Sequence, residues 1–324
     1  MAPRFVIYGA GGVGGTIGGC LYQGGHEVTL IARGSHHDAL AARGLELRWP
    51  GGSEVLPIPT VDHPGRIDWR GGDRDVVLLT MKSQHTTGAL DDLTHSGYRG
   101  PVVSVQNGVA NERMALRRFE AVYGICVQLP ATFLDDGVVL AHSDDRAGLL
   151  DIGRFPHGVD AVAETVAAAL ESSRMLSEPD PAVMGKKYSK LLMNLGNALD
   201  AACGRAGFAS HLAKDARAEG RAALEAAAIE VTHQAKDRMA QVTIRPVGED
   251  GHKGSSSWQS LARGTGSIET DYLNGEITLL GRLHGVPTPV NAMLQDVAND
   301  MARDALPPGS FTVEQLEARL EGAP

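Results

Sequence analysis

Cysteine is scarce in this 324-residue chain, which carries three: Cys20, Cys126 and Cys203. They lie far apart with no CxxC pair, a set that builds no disulfide framework and fits a reducing compartment. Long hydrophobic runs are missing too. No stretch approaches about 18 uninterrupted apolar residues, and the apolar segment behind Met1-Ala2-Pro3-Arg4 is too short for the core of a signal peptide. The expectation is a soluble, cytoplasmic protein with no membrane partner. Positive charge is in deficit, 30 Lys plus Arg against 39 Asp plus Glu, for a formal net charge of −9. Nucleic acid and anionic membrane both demand basic patches, so neither is an expected partner. An anionic ligand has to be held by a few local cations and by backbone N–H groups. No metal-ligand spacing and no Ser/His/Asp order emerges, and there is no internal repeat, linker or low-complexity tract.

What is present is an ordinary globular composition, 43% hydrophobic and 21% charged, in a length that suits about two domains. Residues 5–8, 27–32, 75–81 and 101–106 read as strands, the last three rich in Val, Leu and Ile. Continuous apolar runs separated by helical patterns are the signature of a parallel sheet covered on both faces. Residues 45–49 with 54–58, joined by a Gly51-Gly52 turn, and 138–142 with 148–152 read as antiparallel pairs added to it. Past residue 180 the pattern is all helical. Asp180-Pro181 is a helix start, with Gly204 as the matching stop. A long helix follows over 213–240, then helical stretches near 257–263, 271–284, 289–305 and 313–320, the last with the capping box Thr312-x-x-Gln315. The expected fold is α/β, an N-terminal Rossmann-type doubly wound sheet (1–178) plus a C-terminal all-helical domain (179–324).

Between the first strand and an apolar helix stands Gly9-Ala10-Gly11-Gly12-Val13-Gly14. A GxGxxG match alone is weak in a chain with 40 glycines. The strand before it, the helix after it and a second strand about 20 residues on give it meaning. Gly9 permits the tight turn, Gly11 lets a pyrophosphate approach the backbone, and Gly14 lets helix and strand pack closely. The helix N-terminus then offers N–H groups to the phosphates. An NAD-specific site places an acidic residue at the end of the second strand. Here Ile31-Ala32-Arg33-Gly34-Ser35 has none, and Arg33 can grip a 2′-phosphate with planar, charge-assisted hydrogen bonds. Lys82 is a second cation at the same rim, so NADPH/NADP+ is the expected cofactor. Asn107, in Gln106-Asn107-Gly108, is placed on the same sheet edge to meet nicotinamide, ribose or substrate.

In the helical half, Lys190, Asn194 and Asn197 share one helix face by i, i+4, i+7 spacing, beside apolar Leu191, Leu195 and Ala198. Such a stripe suits a cleft wall, and a partly buried lysine can donate a proton to a carbonyl oxygen. Lys186 and Lys187 read as an exposed lysine row, and His36-His37-Asp38 and Asp144-Asp145 as surface loop. The serines at 255–257 and the acids Glu269 and Asp271 look, by themselves, like helix-start residues.

The chain resembles the ketopantoate reductase (2-dehydropantoate 2-reductase) family over nearly its whole length. The matching segments are Gly9–Gly14, Thr80-Met81-Lys82, Gln106-Asn107-Gly108, Lys190-Leu191-x-x-Asn194, Glu269-x-Asp271-Tyr272-Leu273-Asn274-Gly275 and Gly285-Val286-Pro287-Thr288-Pro289. The resemblance implies reduction of a ketone by NADPH with Lys190 as general acid. It further implies that Asn107 and Asn194 position cofactor and substrate, that Glu269 holds the substrate or the lysine, and that Ser257 hydrogen-bonds the substrate. The partner would be a small 2-oxo acid, with a homodimer one of the open assemblies. The chain departs from the family at Gly254, where an asparagine is usual, and at Ala198, where a second amide is expected, with Asn197 one place early. A paralogue acting on another 2-oxo acid or ketone and a non-catalytic NADPH-binding regulator therefore stay open.

Overall fold

The computed structural model describes residues 2–133, 135–247, 254–264 and 266–322. Their strands are β1 (Arg4–Tyr8), β2 (Val28–Ile31), β3 (Leu45–Trp49), β4 (Gly52–Leu56), β5 (Thr60–Val61), β6 (Asp75–Leu79), β7 (Val102–Ser104), β8 (Val122–Gln128), β9 (Ala131–Thr132), β10 (Val138–Ala141), β11 (Gly148–Arg154) and β12 (Met175–Leu176). Among the described residues, eight of these form one sheet in the order β12-β11-β8-β7-β6-β1-β2-β5. Its pairs are parallel except β8 with β11. Both faces are covered, one by the cluster containing Phe5, Ile7, Ile17, Leu30 and Leu78, the other by Val6, Val77, Leu79, Leu90 and Leu93. That is why these strands read as unbroken apolar runs.

Register then decides where the loops emerge. Tyr8 lies opposite both Ile31 and Leu79, and Leu79 opposite Ser104. The residues after β1, β2, β6 and β7 therefore leave the sheet at one edge. Strand order reverses beside β1, the place where open α/β sheets take ligands.

The antiparallel expectations fare unequally. β3 and β4 do pair, but Trp49 faces Gly52, so the two-residue turn is Pro50-Gly51 rather than Gly51-Gly52. The strand near 138 does not pair with the strand near 148. β10 lies parallel to β3 in a small sheet ordered β4-β3-β10-β9, whereas β11 joins the large sheet against β8. β10 alternates in burial while β11 is buried along nearly its whole length; the partners of both are chosen by long-range register, which no local pattern carries.

The later helices are Val183–Asn194, Asn197–Phe208, His211–Ala226, Ser256–Ala262, Asn274–His284, Pro289–Arg303 and Val313–Glu321. Asp180 caps as expected, its carboxylate accepting from the Ala182 N–H at 2.8 Å, and the Thr312/Gln315 capping box forms. Two helices are shorter than their periodicity. The first stops at Asn194, so Lys190 and Asn194 share a helix while Asn197 opens the next one. The helix at 211 ends at Ala226 and not near 240. The β-branched residues Ile229, Val231 and Thr232 follow, and Ala228 takes a positive φ of 51°.

The chain forms two compact units: Met1–Asn107, Asn111–Lys186 and His233–His252 make the first, and Gly108–Ala110, Lys187–Thr232 and Lys253–Pro324 the second. The segment that rejoins the first unit is clamped by a buried carboxylate. Asp151, on β11 with its side chain 0% exposed, accepts from Lys186 at 2.8 Å, Gln234 at 2.7 Å and Arg238 at 2.7 Å. Lys186 also meets Asp180 at 2.7 Å, and Arg238 meets Glu178 at 3.0 Å. Lys186 is thus a clamp residue and Lys187 is 3% exposed, which corrects the exposed-lysine reading of both.

Burial alone would raise the Asp151 carboxyl, but hydrogen bonds from Gln234, Lys186 and Arg238 hold it below the usual carboxylate value. Asp151→Ala is expected to cost about 3 kcal/mol, because it strips the buried shared acceptor from two half-buried cations. A depressed folded pKa contributes stability that is present above the unfolded value of 3.8 and lost as pH falls through the folded one. Urea titrations of wild type and Asp151→Asn, from neutral pH to about pH 3, should show the difference closing at the acid end. A difference constant across that range would contradict the clamp.

Candidate active site

In the first unit the glycine turn has the shape its spacing predicts. Gly9 has φ +106°, and a Cβ there would lie 2.8 Å from the Met81 backbone nitrogen. A Cβ on Gly14 would sit 2.2 Å from the Gly9 carbonyl oxygen and 2.4 Å from Thr80 Oγ1. Gly11 is different: a Cβ there meets nothing within 4 Å among the described residues. The backbone is therefore crowded where helix meets strand and open at Gly11. The helix Gly12–Gln23 starts with no side-chain cap on its N-terminus, which leaves Gly12, Val13 and their neighbours to offer N–H groups to an anion. This cradle fits a pyrophosphate.

Two side chains hold the turn from behind. Thr80 Oγ1 lies 2.8 Å from the Gly9 carbonyl and 3.0 Å from that of Tyr8. His36, buried in the helix Gly34–Arg43, places Nε2 2.8 Å from the Ala10 carbonyl, while its Nδ1 accepts from the Gly137 N–H at 3.0 Å. That pairing fits the neutral Nε2–H tautomer, and burial lowers the His36 pKa despite the Ala10 bond and nearby Asp136. The surface-loop reading of His36 is corrected by this geometry. Its only sequence signal was position, a few residues past the second strand.

The rim beside the turn carries Arg33, exposed at 62% of its side chain. Its Nη2 donates to the Tyr8 hydroxyl and to Asp92, both at 2.9 Å, and the Tyr8 hydroxyl donates to Asp92 at 2.8 Å. Burial and the Asp92 bond push the Tyr8 phenol up to about 12, so it remains a donor. Lys82 follows β6 as the residue before the short helical turn Ser83–His85. Asn107 sits half-buried in the loop after β7. Asn111 Nδ2 donates to the Asn107 carbonyl and to Ser83 Oγ, both at 3.0 Å, and Thr86 Oγ1 donates to Asn111 Oδ1 at 2.7 Å. This buried network fixes the Asn107 loop, and nothing in the local sequence marks it.

In the second unit, Lys190 is half-buried on the helix Val183–Asn194 and Asn194 is its last residue. Ser257 is 3% exposed in the helix Ser256–Ala262, and Glu269 is 4% exposed at the start of the turn Glu269–Tyr272. Asn197 begins the following helix, where its carbonyl accepts from Ser255 Oγ at 3.3 Å. The break between the two helices is held from outside. Asn274 Nδ2 donates to the Leu195 carbonyl at 3.1 Å and to Asn291 Oδ1 at 3.0 Å. Asn291 in turn donates to the Ala216 carbonyl at 2.9 Å and to Glu219 at 2.8 Å. An orphan carbonyl just past the end of the Lys190 helix thus finds its donor in Asn274, at the start of the helix that follows the Glu269–Tyr272 turn. Among the described residues, no group of three or more His, Cys, Asp or Glu is placed to hold a metal ion, and no helix is long and apolar enough to cross a membrane.

Residues 5–157 match the family described as ketopantoate reductase PanE/ApbA, and residues 182–302 match its C-terminal part. The chain belongs to the ketopantoate reductase PanE/ApbA family. Membership makes it an oxidoreductase with a Rossmann-like N-terminal part and a helical C-terminal part. A 2-dehydropantoate 2-reductase of Pyrococcus horikoshii is 26% identical over 314 residues, covering 95% of this chain and 99% of the other. A crystal structure of a PanE/ApbA family ketopantoate reductase from Ralstonia eutropha superposes with TM-score 0.77 at 27% identity, over 93% of this chain and 99% of that one. D-mandelate dehydrogenase, solved with NADH and anilino(oxo)acetate, shares the fold at TM-score 0.78 and 21% identity, with 93% and 99% covered.

Proposed function

We propose that this member of the family reduces the ketone of a 2-oxo acid with NADPH, converting 2-dehydropantoate to (R)-pantoate in pantothenate biosynthesis. The observation that carries the reading is Lys190, half-buried one helical turn before Asn194, in a chain whose family match spans both halves. We assign residues 1–178 to the dinucleotide and 179–324 to the substrate. The turn Gly9–Gly14 holds the pyrophosphate through backbone N–H groups, Arg33 and Lys82 read the 2′-phosphate, and Asn107 orients the nicotinamide end. A bound nicotinamide supplies the hydride that reduces the carbonyl carbon. Lys190 gives the proton to the carbonyl oxygen, which would otherwise carry the developing charge. Asn194, Asn197 and Ser257 hydrogen-bond the substrate, and Glu269 holds the substrate or orients the lysine. The enzyme then works on small molecules in the cytoplasm, alone or as a homodimer.

A second reading, another 2-oxo acid as substrate, is favoured by one feature. Gly254 has φ +63°, and a Cβ there would lie 2.4 Å from Trp258 Cγ. The indole fills the volume that an asparagine side chain would need, which replaces an amide by an aromatic face. Both readings are tested by following NADPH absorbance with purified protein, 2-dehydropantoate and a panel of branched and aromatic 2-oxo acids. Highest kcat/KM for 2-dehydropantoate supports the first reading. Highest kcat/KM for an aromatic acid supports the second. Nucleotide binding without turnover on any acid would mark a regulator and overturn both.

A further inference from the structure

The rim that carries Arg33 is not purely cationic. Asp92, on the helix Thr86–His95, places Oδ2 2.9 Å from Arg33 Nη2, and its Oδ1 lies 3.6 Å from His63 Nε2. Tyr8 and Asp92 both take Nη2. Nε and Nη1 of Arg33 have no partner among the described residues, so one edge of the guanidinium is held while the rest stays available. Both groups reach solvent, at 62% for Arg33 and 30% for Asp92. An ion pair this exposed is weak, and a dianionic phosphate that binds the guanidinium bidentately displaces it or draws it aside.

Asp92 therefore acts on the two nicotinamide dinucleotides differently. Toward a 2′-phosphate its charge is repulsive, and it competes for the same guanidinium. Toward a 2′-hydroxyl it is a hydrogen-bond acceptor of the kind that NAD sites place near the ribose, here supplied from the helix after β6 instead of the end of β2. We propose that Asp92 is a specificity-determining residue that narrows the preference for NADPH over NADH, so that the site accepts both nucleotides. The proposal rests on the reading that Arg33 recognises the 2′-phosphate.

Calorimetric titration with NADP+ and with NAD+ tests it without reference to turnover, using wild type, Asp92→Asn and Arg33→Ala. Asparagine keeps the shape and an acceptor for the Tyr8 hydroxyl and removes only the charge. Asp92→Asn should tighten NADP+ by about three- to tenfold, as expected for losing one exposed like charge, and leave NAD+ equal or weaker. The NADP+ gain should shrink as salt rises. Unchanged or weaker NADP+ binding by Asp92→Asn, with Arg33→Ala still losing NADP+ selectively, overturns the role of Asp92 alone. If Arg33→Ala binds NADP+ as wild type does, the underlying reading of Arg33 fails, and the proposal with it.

Discussion

Lys190→Ala is expected to lower kcat by about 10²-fold or more while dinucleotide affinity stays at the wild-type value. The separation follows from where the groups stand. The glycine turn and Arg33 belong to the first unit, and Lys190 to the second, so removing the ammonium leaves every proposed phosphate contact in place. On the proposed mechanism, what is lost is the proton that the ketone oxygen needs as the carbonyl carbon is reduced, an interaction worth most in the transition state. The pH profile gives a second readout. An acid that must be protonated makes kcat/KM fall as pH rises past its pKa, and this limb should vanish in Lys190→Ala. Arginine keeps the charge but holds its proton too tightly to donate it, so Lys190→Arg should remain impaired. An alanine variant with wild-type kcat would remove Lys190 from the mechanism.

The glycine turn should split into two phenotypes, and the contrast is more informative than either alone. Gly14→Ala forces a Cβ to within 2.2 Å of the Gly9 carbonyl and 2.4 Å of Thr80 Oγ1. Strand and helix must separate there, at an expected cost of about 1–3 kcal/mol for overpacking, together with loss of measurable dinucleotide binding. Gly11→Ala meets no protein atom within 4 Å among the described residues, and its φ of −72° suits any residue. Its melting temperature should match wild type while dinucleotide affinity falls by about tenfold or more, because the methyl group stands where the pyrophosphate approaches. Thermal melts and binding titrations of both variants check this. Equal affinity in Gly11→Ala and wild type would mean that the ligand does not lie on this turn.

Much of this was legible in the sequence, for identifiable reasons. The strands of the large sheet are buried on both faces, so Val76–Leu79 and its neighbours had to be apolar throughout, and the chain shows them as such. The tight contacts at Gly9 and Gly14 admit only glycine, so the turn is written in the residue types themselves. What stayed hidden was settled by partners distant in sequence. The 3.6-residue period runs unbroken through Lys190, Asn194 and Asn197, yet the helix stops, its end held by Asn274 from 79 positions away. His36 reads as part of a surface loop until the Ala10 carbonyl and Gly137 N–H close around it. Asp92 had no signal at all, because an aspartate on an amphipathic helix is ordinary until Arg33 stands against it. The partners of β10 and β11 were equally invisible, since strand alternation records which face is buried and says nothing of which strand lies alongside.

Hydride transfer to a 2-oxo acid is the central claim, and one measurement reaches it directly. NADPH carrying deuterium at C4 of the nicotinamide is incubated with the purified protein and 2-dehydropantoate, and the product is analysed by mass spectrometry. Pantoate should carry deuterium at C2 when formed from one of the two C4-labelled epimers of NADPH and none when formed from the other. Absence of any deuterated 2-hydroxy acid, with 2-dehydropantoate or with the panel of other 2-oxo acids, from protein that still binds NADPH, would contradict it.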